Sequence, residues 1–538
     1  MKMRVEMNVL RYAGLVAALT GSLYVRSVSY DLVDFDDPEY VKENTHIHEG
    51  LTLENVKWAF LARGYAANWH PLTWTSLMSD VSALKMIGVD VRKIDWTKDA
   101  HAAVRVMHVH NVVLHVLNAV LLFFLMVLVC RGRIDSHWLL LLALFWSLHP
   151  LRVEVVCWVT ERKELLSTFF MLAALIAYLK DGKACYWLSV AFSALAMLAK
   201  PVAVTLPVVF LAWDWIYGGK PRIRRFIPVA ALSLFTCVMT MTSQEGAIKT
   251  GSTLVPVERM SAIFISPLMY IRQTVWPDNI SLLYPNTEHV NYLALAGGIL
   301  LVVAIVAISI LWLVSKRRPF LDLLAFCIAW VYVGLIPMLG IVKVGTQEHN
   351  DRYTYWIGCG LVVVLALLLI QLKPKIKKFV IDFGVQNGKN EWPEVRKMAS
   401  CCFIGVLVAL AYVSNLQVGH WKDTISIFRD VVSKSWNAEF GQVLANRLCK
   451  LGPDHRAEAE YWLRGCANAQ PCRRSYVALA SFLITKPIDC SEYALGGTPF
   501  LEAEMLVEGV LKTYPDDEDA KKIMEGIEEF RKRMGRKE

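Results

Sequence analysis

Charged residues are scarce in this sequence of 538 residues, because Asp, Glu, Lys and Arg together make up 20% of it and hydrophobic residues 55%. The mean hydropathy of +0.39 is too high for a soluble globular protein. Apolar stretches of about 20 residues, long enough to cross a bilayer, recur between residues 9 and 416 and are absent after it. The composition therefore predicts an all-α polytopic membrane protein.

Features that would indicate other classes are also lacking. No clear small-residue cleavage site follows the first apolar segment, residues 9–28, so we predict that this segment is an uncleaved anchor. The net charge of +9 comes from Lys and Arg clusters at the ends of spans, and these clusters lack interleaved aromatic residues. The sequence therefore predicts membrane lipid, and no nucleic acid, as a partner.

The basic clusters also predict the topology, because cytoplasmic loops are enriched in Lys and Arg. With a cytoplasmic N-terminus, eleven spans are predicted near residues 9–28, 108–130, 137–158, 165–180, 184–199, 201–217, 226–242, 292–314, 320–341, 355–372 and 398–416. A further apolar stretch, residues 259–276, is predicted to be re-entrant or interfacial. A full span there would place the basic cluster at 316–318 outside the cytoplasm.

Two regions are predicted to lie on the extracytoplasmic side. The first external loop, at about residues 29–107, is rich in Trp, His and Asp, and long loops often carry function. Residues 1–416 form the predicted transmembrane domain, and residues 417–538 form a second, α-helical domain. Its apolar spacing fits either about three degenerate tetratricopeptide-like repeats or generic helical packing.

The cysteines and histidines give no clear structural site. Four of the twelve cysteines lie in the second domain, namely Cys449, Cys466, Cys472 and Cys490. In an oxidising compartment they permit two disulfides in three pairings, and buried free thiols are an equal alternative. No metal site is predicted, because no Cys pair or acidic ligand accompanies the histidines at the usual spacing.

An acidic cluster, Asp34-Phe35-Asp36-Asp37, follows the first span. Such a run is typical of an acidic turn or a helix start. At the external mouth of the membrane, a carboxylate can also accept a proton from a hydroxyl group, so Asp36 and Asp37 are candidate catalytic residues. Asp34, Trp69 and His70 are candidates for acceptor binding or the cavity. The Asp-x-Asp pattern is also compatible with a divalent cation.

Further ionisable residues lie at the predicted external ends of later spans. The candidates are His149, Glu154, Glu161, Arg162, Lys163, Lys200 and Arg352. Burial at membrane depth costs about 2.5 to 3.5 kcal/mol for each such group, so they usually pair or line a polar cavity. They either join helices through ion pairs or hold a phosphate through charge-assisted hydrogen bonds, worth about 1.5 to 3 kcal/mol each.

Polar residues also recur along the predicted span at 108–130. They are His108, Asn111, His115 and Asn118. This spacing predicts a polar stripe that packs against other helices or lines the cavity.

Several short sequence strings together indicate one protein family, although none of them is specific alone. They are Phe35-Asp36-Asp37-Pro38-Glu39-Tyr40-Val41, Asn68-Trp69-His70-Pro71-Leu72-Thr73-Trp74, residues 149–170, Ala199-Lys200-Pro201, Trp276-Pro277 with Tyr284-Pro285, and Asp351-Arg352-Tyr353-Thr354-Tyr355. In these strings the chain resembles the transmembrane and tetratricopeptide repeat-containing O-mannosyltransferase family, especially its bacterial-type members, among the C-type membrane glycosyltransferases. The resemblance covers nearly all of residues 1–416.

The resemblance implies a C-type glycosyltransferase fold and a polyprenyl- or dolichyl-phosphate sugar donor used on the extracytoplasmic face. Mannose is the implied sugar, and Ser or Thr of a protein is the implied acceptor. By position, Asp36 or Asp37 takes the catalytic role, and the later ionisable residues surround the donor phosphate. The tail departs from the family pattern, because it has room for about three poor repeats where relatives carry long arrays.

Two other functions are compatible with the sequence. One is a transporter or flippase of a lipid-linked precursor, although the long acidic external loop and the absence of detectable internal repeats do not favour it. The other is a non-catalytic membrane scaffold that binds partners through its tail. For the location, the bacterial-type strings favour an inner (plasma) membrane, with the endoplasmic reticulum membrane as the alternative.

Overall fold

The computed structural model describes residues 2–96, 101–180, 182–218, 220–245, 256–285, 291–315, 318–339, 347–386, 392–484 and 499–534. The chain divides into two compact units, Met1–Lys422 and Asp423–Glu538. Both units are helical. In the described ranges, the β-structure is limited to one short antiparallel pair, β1 (Tyr284–Pro285) with β2 (Gln347–His349). The predicted all-α class is therefore confirmed apart from this pair.

The first unit contains sixteen described α-helices. They are α1 (Lys2–Tyr24), α2 (Thr45–His48), α3 (Leu53–Leu61), α4 (Pro71–Met86), α5 (His101–Cys130), α6 (Ser136–Ser147), α7 (Val153–Cys157), α8 (Arg162–Tyr178), α9 (Lys183–Ala199), α10 (Leu206–Tyr217), α11 (Ile223–Ser243), α12 (Pro256–Val275), α13 (Tyr292–Val314), α14 (Pro319–Met338), α15 (Thr354–Gln386) and α16 (Trp392–His420). Their apolar faces share one large core, in which α5, α6, α8 and α15 are the main contributors.

Among the described residues, six helices are long and apolar enough to cross a membrane, namely α5, α11, α13, α14, α15 and α16. These helices fit a multi-pass membrane protein. The predicted spans near 9–28, 165–180, 184–199 and 201–217 coincide with α1, α8, α9 and α10, which are shorter or less apolar. The count of eleven spans therefore stays a prediction. Residues 316–317 and 340–341, which belong to a predicted basic cluster and a predicted span, lie outside the described residues.

The predicted span near residues 137–158 is divided into two helical segments, so it stays a prediction. Helix α6 ends at Ser147, and the helical segment Pro150–Cys157 leaves it at 58°, so the two make at most one broken span. Pro150 has no N–H to donate, and its ring excludes a regular helix through this point. The Nδ1 atom of His149 accepts a hydrogen bond from the Leu151 N–H at 3.3 Å and so caps the second segment.

The segment between α1 and α5, which is predicted to be the first external loop, is folded around its own core. Helix α3 begins after Thr52, whose side chain accepts a hydrogen bond from the Asn55 N–H at 3.1 Å, and α4 begins with Pro71 at its first position. Trp74 of α4 is fully buried among apolar residues of the loop and of α5. Burial of this kind holds the loop in one shape, which fixes the position of its acidic cluster.

The predicted polar stripe on α5 is confirmed. His108, Asn111, His115 and Asn118 are all buried. Asn118 donates to the Leu165 carbonyl at 3.0 Å and to the Tyr355 hydroxyl at 3.2 Å. His115 lies 2.7 Å from the same hydroxyl. The stripe therefore joins α5 to α8 and α15 through hydrogen bonds.

The second unit consists of six described helices that pack in sequence order. They are α17 (Thr424–Ser435), α18 (Ala438–Leu451), α19 (Arg456–Ala469), α20 (Arg473–Ile484), α21 (Pro499–Thr513) and α22 (Glu518–Met534). If the helices are taken in pairs, the pairs begin at Thr424, Arg456 and Pro499, which is not a fixed period of about 34 residues. Tetratricopeptide-like repeats therefore stay a prediction.

The cysteines of the second unit do not form the disulfides that one alternative allowed. Cys449, Cys466 and Cys472 are free thiols. Cys466 is buried, as the alternative of buried thiols expected, whereas Cys472 is exposed. Cys490 lies outside the described residues.

Candidate active site

The two aspartates proposed as catalytic have different environments. Asp37 is buried, and its Oδ2 atom accepts a hydrogen bond from the Val33 N–H at 2.8 Å. Its Oδ1 atom accepts two more from Thr160, one from the hydroxyl at 2.5 Å and one from the N–H at 3.2 Å. The side chain of Asp36 is 34% exposed, and its Oδ2 atom lies 3.5 Å from the Lys163 Nζ atom. Asp37 therefore anchors the loop, and Asp36 is accessible to a second molecule.

The residues behind Asp36 form a buried charge cluster, which consists of Glu154, Glu161, Lys163, Glu164, Lys200 and Arg352. Glu161 lies at its centre, because its carboxylate is 3.3 Å from the Lys163 ammonium and 3.3 Å from the Lys200 ammonium. Lys200 also pairs with Glu164 at 2.5 Å. The start of α8 and the turn after α9 are thereby joined through these ion pairs.

Arg352 connects the same cluster to the segment after the bend. Its guanidinium pairs with Glu154 at 2.5 Å, and its Nε atom lies 3.6 Å from Glu161. The Glu154 carboxylate also accepts a hydrogen bond from the Arg352 backbone N–H at 3.0 Å. The guanidinium lies over the Trp158 ring, 5.6 Å from its centroid. Three segments that are distant in sequence therefore meet at one group of charges.

The cations of the charge cluster are more accessible than its carboxylates. The side chains of Lys163, Lys200 and Arg352 are 9–11% exposed, whereas those of the three glutamates are 1–4% exposed. Asp36 is more exposed than either group. The carboxylates therefore lie behind the cations, which in turn lie behind Asp36. Buried charges require such pairing, because an unpaired charge in a low dielectric is very costly.

Aromatic side chains of the segment between α1 and α5 line the site next to Lys163. The Lys163 ammonium lies 4.9 Å from the centroid of the Tyr40 ring. Tyr40 packs against His70, with ring centroids 5.5 Å apart, and accepts a hydrogen bond from the Asn68 amide at 3.2 Å. Burial and the nearby Lys163 lower the pKa of His70, so its ring is neutral at pH 7. His70 is thus a polar but uncharged part of this wall.

Three of the residues predicted for the site lie apart from the charge cluster. Arg162 points to the loop core, where it pairs with Asp80 at 3.0 Å and also contacts Asn111. Asp34 pairs with Lys42 at 2.7 Å. Trp69 is buried and donates to the Phe60 carbonyl at 3.1 Å. These side chains hold the loop together. Arg162 is the first residue of α8, where adjacent side chains point in directions about 100° apart, so it points away from the side chain of Lys163.

His149 is also separate from the charge cluster and lines an apolar cavity of about 330 Å³. Apolar side chains of α6, α12, α13, α14 and α15 form most of its wall, including Phe145, Leu301, Ile305, Val331 and Leu361. Arg152 and Thr354 are among the few polar side chains that line it. The Arg152 guanidinium donates to Thr354 at 2.7 and 3.0 Å. The cavity is therefore a mainly hydrocarbon-like space that has an arginine in its wall.

Four residues of the site were not among the sequence candidates. Glu164 lies three positions after Glu161, so the helical spacing places the two on neighbouring parts of one face. Tyr40 lies in a string of the family resemblance, but its contact with Lys163 had no local signal. Thr160 and Arg152 also act through partners that are distant in sequence, Asp37 and Thr354 respectively. Only the folded chain shows these pairs.

The aspartates do not fit a divalent cation. Among the described residues, no three His, Cys, Asp or Glu side chains converge as metal ligands. Asp34 and Asp36 pair with different lysines, Lys42 and Lys163. Cationic neighbours of this kind do not favour binding of a hard divalent cation. We therefore assign no step to a metal.

Burial raises the pKa of Asp37 to about 6, against the hydrogen bonds from Thr160 and Val33, which lower it. A carboxyl group with a raised pKa in the folded state contributes stability below its ordinary pKa of 3.8, and this contribution is lost as the pH rises through about 6. We expect the melting temperature of the wild type, measured relative to Asp37→Asn, to fall between pH 4 and pH 7. Tryptophan fluorescence of the detergent-solubilised protein would measure it. A constant difference between the two proteins would contradict this assignment.

Comparison with known proteins gives a partial match. Over 106 residues the chain is 33% identical to "Protein O-mannosyl-transferase TMTC3" of Mus musculus. The match covers 18% of this chain and 11% of the mouse protein. No family model matches the chain. This similarity suggests the same family at most and hints at glycosyltransferase-like chemistry.

Proposed function

We propose that this protein is an integral membrane glycosyltransferase. It moves a sugar, mannose according to the resemblance, from a polyprenyl or dolichyl phosphate to a Ser or Thr hydroxyl of an acceptor protein on the extracytoplasmic face. One observation carries the proposal. The exposed carboxylate of Asp36 lies in front of three buried cations, with Lys163 at 3.5 Å.

The proposed reaction uses Asp36 as the general base. The acceptor oxygen attacks the anomeric carbon of the sugar and forms the new glycosidic bond. Its proton moves to the Asp36 carboxylate. The bond between the anomeric carbon and the phosphate oxygen breaks, and the lipid phosphate leaves with the electron pair. General-base catalysis of this kind contributes about 10²- to 10⁴-fold to the rate.

The contacts of Lys163 with its carboxylate partners are long, so this cation is able to bind the leaving phosphate instead. Strong contacts of an ammonium with a carboxylate measure about 2.7 to 2.9 Å. Lys163 has longer contacts, 3.3 Å to Glu161 and 3.5 Å to Asp36. When a donor phosphate binds, Lys163 moves its interaction from Asp36 to the phosphate. The exchange neutralises the leaving group and frees Asp36 to act as the base.

The buried glutamates hold the cations in position for this exchange. Glu161 contacts both lysines. The Glu154 carboxylate accepts hydrogen bonds from the guanidinium and from the backbone N–H of Arg352. Groups that are already oriented lose little entropy and need little rearrangement when the transition state forms. The cluster therefore supplies fixed positive charge to the donor phosphate without exposing unpaired charges.

The apolar cavity has the chemistry needed for the hydrocarbon chain of the donor. Its walls are formed by side chains of five helices, of which α13, α14 and α15 are long and apolar enough to span a membrane. A prenyl chain that enters it gains about 0.8 kcal/mol for each buried methylene group. Thr354, which lines the cavity, is two residues from Arg352 of the charge cluster. This proximity supports a path from the cavity to the phosphate site.

Filling this cavity should weaken donor binding. We expect Leu301→Trp, on the cavity wall, to raise the KM for a long-chain polyprenyl phosphate sugar about ten-fold and to leave kcat within about two-fold, because the lost contacts act equally in the ground and transition states. Steady-state kinetics in nanodiscs would measure both constants. Val303→Trp, at an exposed position of the same helix, is the matched control. An unchanged KM in Leu301→Trp would exclude the cavity as the chain site.

The direct test of the function is a transfer assay. Purified protein in nanodiscs is incubated with radiolabelled polyprenyl phosphate mannose and a Ser- and Thr-rich peptide, and label in the peptide is measured. We expect label to appear with release of the polyprenyl phosphate. No label from mannosyl or glucosyl donors, with either polyprenyl or dolichyl lipids, would contradict the proposal and favour a transporter or a scaffold.

A further inference from the structure

Arg152, in the wall of the apolar cavity, differs from the other buried cations of the described chain. The others each pair with a carboxylate, and they are Arg162, Lys163, Lys200 and Arg352. Arg152 is only 3% exposed, and no carboxylate in the described ranges pairs with it. A buried charge without a counter-charge is costly, so this guanidinium is suited to bind an anion that enters the cavity.

The partners of Arg152 orient its guanidinium without neutralising it. One terminal nitrogen donates to the Thr354 carbonyl at 2.7 Å and the other to the Thr354 hydroxyl at 3.0 Å. The Nε atom has no hydrogen-bond partner among the described residues. The rings of Trp146 and Tyr355 lie 5.7 and 5.6 Å from the guanidinium, and they carry no full charge. A guanidinium has five N–H groups, so donors remain for an anion.

The guanidinium reaches the cavity where α15 lacks a side chain. A Cβ atom at Gly358 would lie 3.1 Å from the Nη2 atom of Arg152, and both residues line the cavity. His149 also lines it, but its Nδ1 atom accepts from Leu151 and its Nε2 atom lies 3.1 Å from the Thr274 carbonyl. The cavity lining includes no acidic side chain. Arg152 therefore supplies the cationic group of this wall.

The cavity as a whole fits a ligand that has both a hydrocarbon chain and an anionic group. Its apolar walls favour a chain, and Arg152 favours the anion. The guanidinium is planar and its N–H groups match the oxygens of a phosphate. Free inorganic phosphate has no chain to bury against the apolar walls. A lipid phosphate has both parts.

The charge of the lipid phosphate changes during the proposed transfer reaction. The donor is a phosphodiester with one negative charge, whereas the released lipid is a phosphate monoester with a charge of about −1.5 to −2 at pH 7. Arg152 is close to the charge cluster along the chain, because the segment that holds Arg152 through Thr354 also holds Arg352 through Glu154. The unpaired guanidinium therefore favours the released lipid over the donor.

From these features we propose that Arg152 binds the phosphate of the released polyprenyl phosphate while the hydrocarbon chain remains in the cavity. The proposal rests on the proposed function, which produces this lipid. Arg152 is then a product site, separate from the cations that bind the donor phosphate. Transfer of the phosphate to Arg152 frees Lys163 for the next donor molecule.

The test measures equilibrium binding of radiolabelled polyprenyl phosphate to the full chain in phosphatidylcholine nanodiscs, without sugar donor or acceptor. Empty nanodiscs give the background. We expect the wild type to bind polyprenyl phosphate about ten-fold more tightly than polyprenol and about three-fold more tightly than the methyl phosphodiester of the same lipid. This comparison does not depend on the folding of a variant.

Substitutions then locate the phosphate. Arg152→Gln should weaken binding of polyprenyl phosphate about ten-fold and leave polyprenol binding within about two-fold, because the neutral lipid uses only the apolar walls. Arg26→Gln is the matched control, because Arg26 also donates to a backbone carbonyl, that of Asn415, and does not line the cavity. It should change binding less than about two-fold.

Several results would overturn the proposal. They are equal wild-type binding of the monoester and the methyl diester, equal losses in Arg152→Gln and Arg26→Gln, and equal competition by two-chain phosphatidic acid, since the site would then accept any anionic lipid. A loss in Lys163→Gln without one in Arg152→Gln would leave the phosphate in the charge cluster and the proposed function intact. Because no sugar is transferred in these measurements, a failed transfer assay is a separate result that contradicts the proposed function.

Discussion

Replacing Asp36 by Asn should lower sugar transfer by about 10²- to 10⁴-fold and leave the folded protein intact. The variant loses the group that accepts the proton, but its side chain is 34% exposed and contacts Lys163 only at 3.5 Å, so little stabilisation is lost. Transfer of label from polyprenyl phosphate mannose in nanodiscs would measure the rate. Donor binding, measured separately, should be equal to or tighter than that of the wild type, because Lys163 loses a competing anion.

Asp37→Asn and Asp34→Asn are the matched controls for this experiment, because they remove a carboxylate from the same loop. Asp37→Asn should lower activity together with the melting temperature, since an NH2 group replaces one of the carboxylate oxygens and cannot accept the hydrogen bonds made to that oxygen. Asp34→Asn should keep most of the activity, because Asp34 pairs with Lys42 within the loop. Full activity in Asp36→Asn would remove Asp36 as the base, and the proposed mechanism would be wrong.

Replacing Glu161 by Gln should have the largest effect on stability. Glu161 lies between Lys163, Lys200 and Arg352, so its loss leaves three buried cations with two glutamates. Breaking a buried ion pair by removing one partner costs about 3 to 5 kcal/mol. We expect a loss of this size in the free energy of unfolding, measured by titration with a denaturing detergent.

Glu164→Gln provides the comparison for Glu161→Gln. Its carboxylate contacts Lys200 alone within the charge cluster, and Lys200 keeps Glu161 as a partner, so the loss should be smaller. The double variant Glu161→Gln with Lys200→Met should recover part of the lost stability, because it removes a cation together with the anion. Equal losses in Glu161→Gln and Glu164→Gln would show that Glu161 is not the centre of the charge cluster.

The positions of most helices follow from the sequence because apolar stretches leave few alternatives in a membrane. The described residues of the eleven predicted spans fall mainly on helical segments, although six helices among them are long and apolar enough by themselves. The bend after Ser147 was missed, although Pro150 is a known helix breaker. The apolar residues on both sides of this proline hid the break, since they read as one continuous span.

The site was harder to predict because its residues meet through contacts distant in sequence. The motifs indicated Asp36, Lys163, Lys200 and Arg352, but nothing local separated them from Arg162, which points into the loop core. Adjacent residues at the start of a helix point in directions about 100° apart, so Arg162 and Lys163 diverge. The different environments of Asp36 and Asp37 likewise depend on Thr160, which is more than a hundred residues away.

The hydrogen bonds between Asp37 and Thr160 also have a consequence for biosynthesis. The segment that carries Asp36 is synthesised before Thr160, because the two ends of these bonds are 123 positions apart. Lys163 arrives with Thr160, Lys200 follows, and Arg352 is added only after five further described helices, α10 to α14, have been made. The carboxylate proposed as the base therefore lacks its surrounding charges in a nascent or truncated chain until residue 352 has been synthesised.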